Sequence, residues 1–193
     1  MLDINLLIKE FFENIVANQI EIYNEFSLQH ELGIFLRERL SKYSVQFERN
    51  VSFFLNGESF LKKEIDIVVF NSDKTEKYAI ELKCPRNGQY PEQLYSFVKD
   101  IKFMEQLAEN GFTKTYSVAF VSARPYYFGK TNTGIYKYFR TENVVYGTIS
   151  KPTGFNKGQD VITLSGSYDI LWQDLDTYRK FFVVEIDGGR NKT

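Results

Sequence analysis

The stretch KKEIDIVVFNSDKTEKYAIELKC, residues 62–84, constrains the fold most, because two short apolar runs flank a polar turn. The β-branched residues of both runs, with the turn-forming segment between them, predict two adjacent antiparallel strands. Asp66, Glu81 and Lys83 interrupt these otherwise apolar runs. Burying a carboxylate without a partner costs several kcal/mol, which is on the order of a domain's whole stability. The three charges therefore require a specific role.

Strand periodicity predicts where these charges lie. Successive side chains of a strand point to opposite faces, so in either register across the turn Asp66, Glu81 and Lys83 share one face of the sheet. Two neighbouring carboxylates repel each other unless one is protonated or a cation lies between them, and Mg²⁺ prefers a few carboxylate oxygens with water and phosphate oxygens. A lysine on the same face can orient or deprotonate water and stabilise a charged transition state. The pattern predicts metal-assisted phosphodiester hydrolysis.

The segments around this hairpin indicate an α/β or α+β protein. Apolar spacing predicts helices over residues 5–17 and about 27–42, the second with Ser27 as its N-cap. The remaining predicted elements, in chain order, are a β-prone piece in YSVQFERNVSFFL, a helix from near Pro91 to Gly111, a strand in KTYSVAFVS, and β-prone segments at 144–149, 161–164, 168–172 and 181–186.

Length and composition are typical of a single globular domain, with 193 residues, 43% of them hydrophobic and 25% charged. No apolar run approaches the roughly 18 residues of a membrane span, and the acidic N-terminal stretch lacks the features of a signal peptide. Cys84 is the single cysteine, which excludes an internal disulfide and is typical of a reducing compartment. We therefore expect a cytoplasmic protein that does not associate with membranes.

Asp66 followed by Glu81-x-Lys83, with an acidic residue on a preceding helix and an amphipathic helix straight after, resembles the PD-(D/E)XK nuclease superfamily. The resemblance covers roughly residues 27–122. Ile65 stands where the family has a proline, which weakens the motif without breaking it. The resemblance implies one domain over residues 1–193, with a restriction-endonuclease-like mixed-sheet core flanked by helices at about 27–122 and a β-rich C-terminal extension at about 123–193.

The resemblance also implies roles for individual residues. Asp66, Glu81 and Lys83 are expected to be catalytic, with Asp66 and Glu81 as ligands of Mg²⁺ and with Mn²⁺ as a substitute. Glu31 matches a helical glutamate that orients metal-bound water, and Gln93 matches a glutamine that contacts the metal or water. The alternatives are a structural salt-bridge cluster for the first three residues and ordinary surface positions for the other two.

Positive charge is concentrated between residues 111 and 159, where seven Lys and Arg residues face one acid, Glu142. Within it, RPYYFGKTNTGIYKYFR at residues 124–140 interleaves basic and aromatic residues. One interpretation is a mobile loop that contacts nucleic acid, and the other is a β-hairpin with half-buried tyrosines. The candidate contacts in the first interpretation are Arg124, Lys130, Lys137 and Arg140.

Three other polar residues are expected to be structural. His30 is the single histidine, so zinc sites built from several histidines are excluded, and we expect it on the surface. Cys84 is expected to be a buried, inert thiol on the core face of its strand. Asp100 is expected to cap or pair locally.

The function expected from these residues is a Mg²⁺-dependent deoxyribonuclease, an endonuclease of restriction, defence or repair type. Two alternatives stay open: a module on the same fold that binds nucleic acid or protein without cutting, and a catalytic subunit that needs a separate recognition chain. Because cutting both strands of a duplex requires two sites, a homodimer is a further expectation.

Overall fold

The computed structural model describes residues 2–56, 59–86 and 88–189. Its α-helices are α1 (Ile4–Ala17), α2 (Glu25–Arg39), α3 (Tyr90–Glu109) and α4 (Tyr136–Arg140). Its strands are β1 (Ser44–Asn50), β2 (Glu64–Phe70), β3 (Lys77–Lys83), β4 (Lys114–Val121), β5 (Val144–Ser150), β6 (Val161–Asp169), β7 (Gln173–Asp174) and β8 (Lys180–Asp187). Short 3-10 helices cover Val51–Phe53 and Arg124–Tyr126.

A six-stranded mixed sheet in the order β1-β2-β3-β4-β8-β7 forms the centre of the fold. Its neighbouring strands are antiparallel except β3 and β4, which are parallel and are connected through α3. A parallel pair needs such a crossover because a tight turn cannot reverse the chain direction twice. Strands β5 and β6 form a separate antiparallel hairpin. The predicted mixed α/β class and the antiparallel pairing of the two strands in residues 62–84, β2 and β3, are confirmed, and the β-prone piece before them forms β1.

Helices α1 and α2 cover one face of the sheet through an apolar cluster that includes Ile8, Phe12 and Leu32. Phe12 stacks on Phe181 of β8, with ring centroids 4.0 Å apart. Strand β8, near the C-terminal end of the chain, is therefore an integral part of the main sheet. Gly33 permits the close contact of α2 with β1, because a Cβ at this position would lie 2.0 Å from the Phe47 ring.

Helix α2 begins earlier than its sequence predicts. Asn24 is the N-cap, and its side chain accepts a hydrogen bond from the Ser27 backbone amide at 2.7 Å. The Ser27 hydroxyl accepts one from the Asn24 amide at 3.0 Å, which completes a capping box. The prediction of Ser27 as the N-cap was therefore wrong by three positions, and Glu25 becomes the first residue of the helix.

Helix α3, α4 and the β5–β6 hairpin cover the opposite face of the sheet. Phe97 of α3 packs against the rings of Phe139 and Phe182, at centroid distances of 5.9 and 5.8 Å. The β-prone segment predicted at 168–172 is only partly a strand, because β6 ends at Asp169. Trp172 lies beyond it, and its ring centroid is 5.0 Å from that of Phe182. The indole Nε1–H donates a hydrogen bond to the Phe139 carbonyl oxygen at 2.9 Å.

Residues 124–140 do not form a hairpin, so that interpretation was wrong. A 3-10 helix and α4 bound the segment, and Arg140 holds them together. Its guanidinium donates to the carbonyl oxygens of Pro125 and Thr131 and lies 3.7 Å from the centroid of the Tyr136 ring. The several donors of a guanidinium allow one side chain to reach both carbonyls. Across the described ranges, we find no helix both long and apolar enough to cross a membrane.

Candidate active site

The site lies where the pairing of β2 with β3 ends. The last backbone pair is Ile67 with Ile80, so the next positions along the two strands are Asp66 and Glu81. There, side-chain oxygens accept the backbone hydrogen bonds: the Leu82 amide donates to Asp66 Oδ2 at 2.8 Å, and the Asp66 amide donates to Glu81 Oε1 at 3.3 Å. The two carboxylates are thereby held by backbone groups of rigid strands, which positions them more firmly than a loop would.

Glu81 is fully buried and is paired with a lysine from outside the strand pair. Its side chain is 0% exposed, and Lys62 Nζ contacts Glu81 Oε2. The same ammonium group lies 2.6 Å from Asp100 Oδ1 of α3, whose side chain is 1% exposed. Asp100 was expected to cap or pair locally, and this expectation was wrong: the packing of α3 over the sheet brings its carboxylate into the site.

Lys83 is held by carboxylates from two helices. Its Nζ lies 3.1 Å from Glu25 Oε1 at the start of α2 and 3.5 Å from Asp100 Oδ2 of α3. It also donates to the Leu82 carbonyl at 3.0 Å. The second carboxylate oxygen of Glu25 accepts a hydrogen bond from the Cys84 backbone amide at 3.1 Å. Glu25 therefore fixes both the backbone at the end of β3 and the side chain of Lys83. Lys83 is therefore an ammonium group with a defined position.

The site contains more negative than positive groups. The carboxylates of Asp66, Glu81, Asp100 and Glu25 face two ammonium groups, which leaves an excess of two negative charges when all are ionised. Burial raises the pKa of Asp66 to about 6, although the Leu82 amide and both lysines oppose this shift. Burial, followed by the charges of Asp66 and Asp100, raises the pKa of Glu81 well above its ordinary value. Proton uptake therefore competes with cation binding at this pair.

Both lysines stay charged despite their burial. Burial alone would lower the pKa of Lys83, but Asp100, Glu25 and Asp66 outweigh it, and the pKa is raised. The same balance, with Asp100 and Glu81 as the opposing charges, raises the pKa of Lys62. In this arrangement Lys83 is suited to stabilising negative charge and to orienting water, since a protonated amine cannot accept a proton.

The donor chemistry of the carboxylate pair fits a hard divalent cation. Asp66 and Glu81 provide carboxylate oxygens, and Mg²⁺ is commonly held by one or two carboxylates with water and substrate phosphate completing its shell. No three His, Cys, Asp or Glu side chains converge on a metal-sized site in residues 2–56, 59–86 and 88–189. An ion at Glu81 Oε2 would have to replace Lys62 there. A divalent ion held by this pair would therefore need water and substrate oxygens to complete its shell.

The structure brings Asp66, Glu81 and Lys83 together, whereas Glu31 makes no hydrogen bond or ion pair with them in the described ranges. Glu31 instead borders a cleft of about 340 Å³ with His30. Gln93 is half-buried in the first turn of α3, seven residues before Asp100.

The expectations for His30 and Cys84 are confirmed. His30 is exposed on α2, and Cys84 is buried among the apolar side chains between the sheet and α2. Burial raises the pKa of the Cys84 thiol to about 11, so it stays protonated at neutral pH and is a poor nucleophile.

Glu25, Lys62 and Asp100 are site residues that the sequence pattern did not reveal. Glu25 was missed because the helix start was placed at Ser27, although Asn24 is itself a favoured N-cap residue. Lys62 carried a weaker signal, as a lysine four residues before Asp66. Nothing local distinguishes Asp100, because its role depends on the packing of α3.

The four residues predicted to contact nucleic acid differ in their exposure and in whether their side chains already have partners. Lys130 is exposed, and Arg124 is exposed with its guanidinium 4.7 Å from the centroid of the Phe128 ring. Lys137 is half-buried and lies 3.4 Å from a carboxylate oxygen of Glu142. The guanidinium of Arg140 is committed to backbone carbonyls, so its position does not support the expected phosphate contact.

Comparisons of the chain with models of protein families, with curated proteins and with solved structures found no match. The chemistry of the site must therefore be inferred from its own residues.

Proposed function

We propose that the protein is a Mg²⁺-dependent nuclease that hydrolyses phosphodiester bonds of DNA. The observation that supports this most is the carboxylate pair Asp66 and Glu81, held at the end of a strand pair in a buried site with excess negative charge. A structural cluster would be expected to balance its charges, because unpaired buried charge is costly. With all four carboxylates ionised, the excess of two negative charges would match one divalent cation.

The element order supports the same proposal. Helix α2, strands β1 to β3, helix α3 and strand β4 follow one another as the PD-(D/E)XK resemblance implies, with the aspartate on the second strand and the Glu-x-Lys on the third. On this basis we assign the chain a restriction-endonuclease-like core. The likeness concerns topology and the position of three residues.

The roles of the residues follow from their placement. Asp66 and Glu81 would hold the ion, which when bound supplies Lewis acidity and an activated water molecule. Lys83, fixed by Glu25 and Asp100, orients water and stabilises negative charge that develops on the phosphate. Glu25 is therefore a positioning residue that acts through Lys83.

A plasmid-nicking assay tests the proposal. Supercoiled DNA should be cut with Mg²⁺ or Mn²⁺, and much more slowly with Ca²⁺, which is larger and coordinates with less defined geometry. Asp66→Asn should abolish cutting. Asp73→Asn, an acid-to-amide change on the exposed turn of the same hairpin, is the matched control and should cut like the parent. Full activity in excess chelator would contradict a metal-dependent mechanism.

A non-cleaving binding module is the second candidate, and the position of Lys62 favours it. This lysine lies on the Glu81 oxygen that an ion would need, and Lys83 is fully paired with Glu25 and Asp100. In that case DNA should be retained but not cut under any divalent ion, and Lys62→Met should not create metal binding. Isothermal titration with Mn²⁺ therefore separates the two candidates.

DNA as the substrate, and a homodimer or a separate recognition chain as the assembly, are parts of the same proposal. Cutting both strands of a duplex requires two such sites. Light scattering with and without duplex DNA tests the dimer. Linear products from an isolated monomer would argue against a required second copy.

A further inference from the structure

A basic cleft lies between α4 and the β5–β6 hairpin. It has a volume of about 390 Å³, and Lys137, Lys151, Lys157 and Tyr138 border it. No acidic side chain of the described residues lines it. Lys137 forms an ion pair with Glu142. In the described ranges, no carboxylate oxygen lies within 4 Å of the ammonium groups of Lys151 and Lys157. Three ammonium groups around one cleft favour an anionic ligand.

Beside this cleft, the loop between β5 and β6 presents a single aromatic ring to solvent. Phe155 is 87% exposed, the highest value among the large apolar side chains of the described residues. Lys151 and Lys157 lie on either side of it in the loop, and Thr153 and Asn156 are its polar neighbours. An isolated ring flanked by ammonium groups matches a ligand that offers both a planar apolar face and negative charge.

The loop is preorganised by its own backbone. Gly154, Asn156 and Gly158 adopt left-handed conformations with φ of 73°, 63° and 75°. Hydrogen bonds from the Gly158 amide to the Lys151 carbonyl at 3.0 Å, and from the Lys151 amide to the Asp160 carbonyl at 2.8 Å, close it. Because the loop backbone is already closed by these hydrogen bonds, binding costs little further backbone entropy, which favours a contact residue at its tip.

The loop is also fixed to α3, the helix that carries Asp100 of the candidate active site. Thr153 donates to a Glu92 carboxylate oxygen at 2.6 Å, and the Tyr95 hydroxyl donates to the Asp160 carbonyl at 3.0 Å. Along the helix axis Glu92 lies about 12 Å from Asp100, at 1.5 Å per residue. A strand of nucleic acid can span such a distance within a few nucleotides, because its phosphates repeat every several ångströms.

We infer that this loop and cleft bind nucleic acid at an unpaired base, with Phe155 stacking on the base and Lys151 and Lys157 contacting the flanking phosphates. Stacking on an aromatic side chain requires a base with an accessible face, which a continuous duplex does not offer. A lipid surface fits less well, because a membrane-inserting segment presents several apolar side chains together. The inference rests on the proposed function, since it names the form of nucleic acid that the Asp66–Glu81 site would receive.

Fluorescence anisotropy in EDTA tests the inference without any cleavage. The probes are an oligothymidylate strand, a blunt duplex, and the same duplex with one unpaired thymidine. The wild-type chain should bind the first and third more tightly than the second. Phe155→Ala should weaken binding to these two by roughly 5- to 100-fold and leave the blunt duplex unchanged. Leu171→Ala, which removes a 66% exposed side chain beyond the far end of β6, is the matched control and should have no effect.

The lysines give an independent measurement. Replacing Lys151 and Lys157 together with alanine should reduce the slope of log K against log salt by about 1.4 for a single strand, at roughly 0.7 per phosphate contact. The double variant Lys9→Ala/Lys42→Ala is the charge-matched control and should keep the parental slope. Lys9 is an exposed residue of α1, on the opposite side of the sheet, and Lys42 is an exposed residue that follows α2.

The outcomes separate this inference from the proposed function. Binding that depends on Phe155, in a protein that never cuts DNA, would support the inference while contradicting the nuclease proposal. Equal binding of all three probes by the parent and Phe155→Ala, or no binding of any probe, would overturn it. Binding to phosphatidylserine vesicles without binding to the probes would overturn it in favour of a membrane contact.

Discussion

Replacing Asp66 with asparagine should stabilise the metal-free protein while removing its response to Mg²⁺. Asparagine has the same shape, and its carbonyl oxygen can still accept the Leu82 amide hydrogen that Asp66 accepts at 2.8 Å. What the substitution removes is a negative charge that lies close to Glu81 and Asp100 in a buried site. The variant therefore measures the free-energy cost of keeping this buried carboxylate ionised when no cation is bound.

The size of the effect follows from the pKa of Asp66. Burial raises this pKa from its ordinary 3.8 to about 6, and each unit corresponds to about 1.4 kcal/mol, so the full cost of ionisation is ~3 kcal/mol. Partial exposure of the side chain to solvent reduces this, and we expect a gain of ~2 kcal/mol at neutral pH for Asp66→Asn.

The sign of the pH dependence is also determined. Because the pKa is raised in the folded state, the folded protein binds more protons than the unfolded chain between about pH 4 and pH 6. The free energy of unfolding therefore decreases as the pH rises through this window, and it does so less steeply in Asp66→Asn. Below about pH 4 the carboxyl group is protonated in both states, and the two proteins should be equally stable.

Urea denaturation followed by circular dichroism, in EDTA and at pH values on both sides of this window, measures the difference. Mg²⁺ at 100 times its dissociation constant should then stabilise the parent by about 2.7 kcal/mol and the variant by much less. Asp73→Asn is the control, because hydrogen bonds from Thr75 lower the pKa of Asp73 and the change should not stabilise. If Asp66→Asn is less stable than the parent at neutral pH, or if its gain persists near pH 4, the electrostatic reasoning is wrong.

Three further predictions concern single side chains. Lys83→Ala should retain or tighten Mn²⁺ binding, because it removes a repelling charge, and should slow nicking by about 100-fold; titration and nicking that both match the parent would refute its role. Gly33→Ala should lower the free energy of unfolding by roughly 1–3 kcal/mol, because its Cβ would lie 2.0 Å from the Phe47 ring, whereas Gly189→Ala meets nothing within 4 Å and should be neutral in the same urea titration. Arg140→Ala should cost roughly 1–3 kcal/mol of stability by leaving backbone carbonyls unpaired, and an unchanged midpoint with weaker DNA binding would instead assign it to phosphate contact.

Local patterns in the sequence were sufficient to locate the strands that carry the site. The apolar runs and the polar turn of residues 62–84 predicted two adjacent strands, and the structure has them as Glu64–Phe70 and Lys77–Lys83. The two-residue period of a strand also placed Asp66 opposite Glu81 in one of two registers. These properties depend on neighbours along the chain, so a single sequence contains them.

The residues that complete the site required the tertiary structure. Lys83 is paired with Glu25, 58 residues earlier in the chain, and with Asp100, which only the packing of α3 on the sheet brings to it. The loop at 124–140 shows the same limit, since its basic residues looked alike in sequence but Arg140 proved to be committed to backbone carbonyls. Secondary structure and strand faces follow from local spacing, whereas the partner of a charge depends on which distant elements pack together, and that is decided by the burial of the whole core.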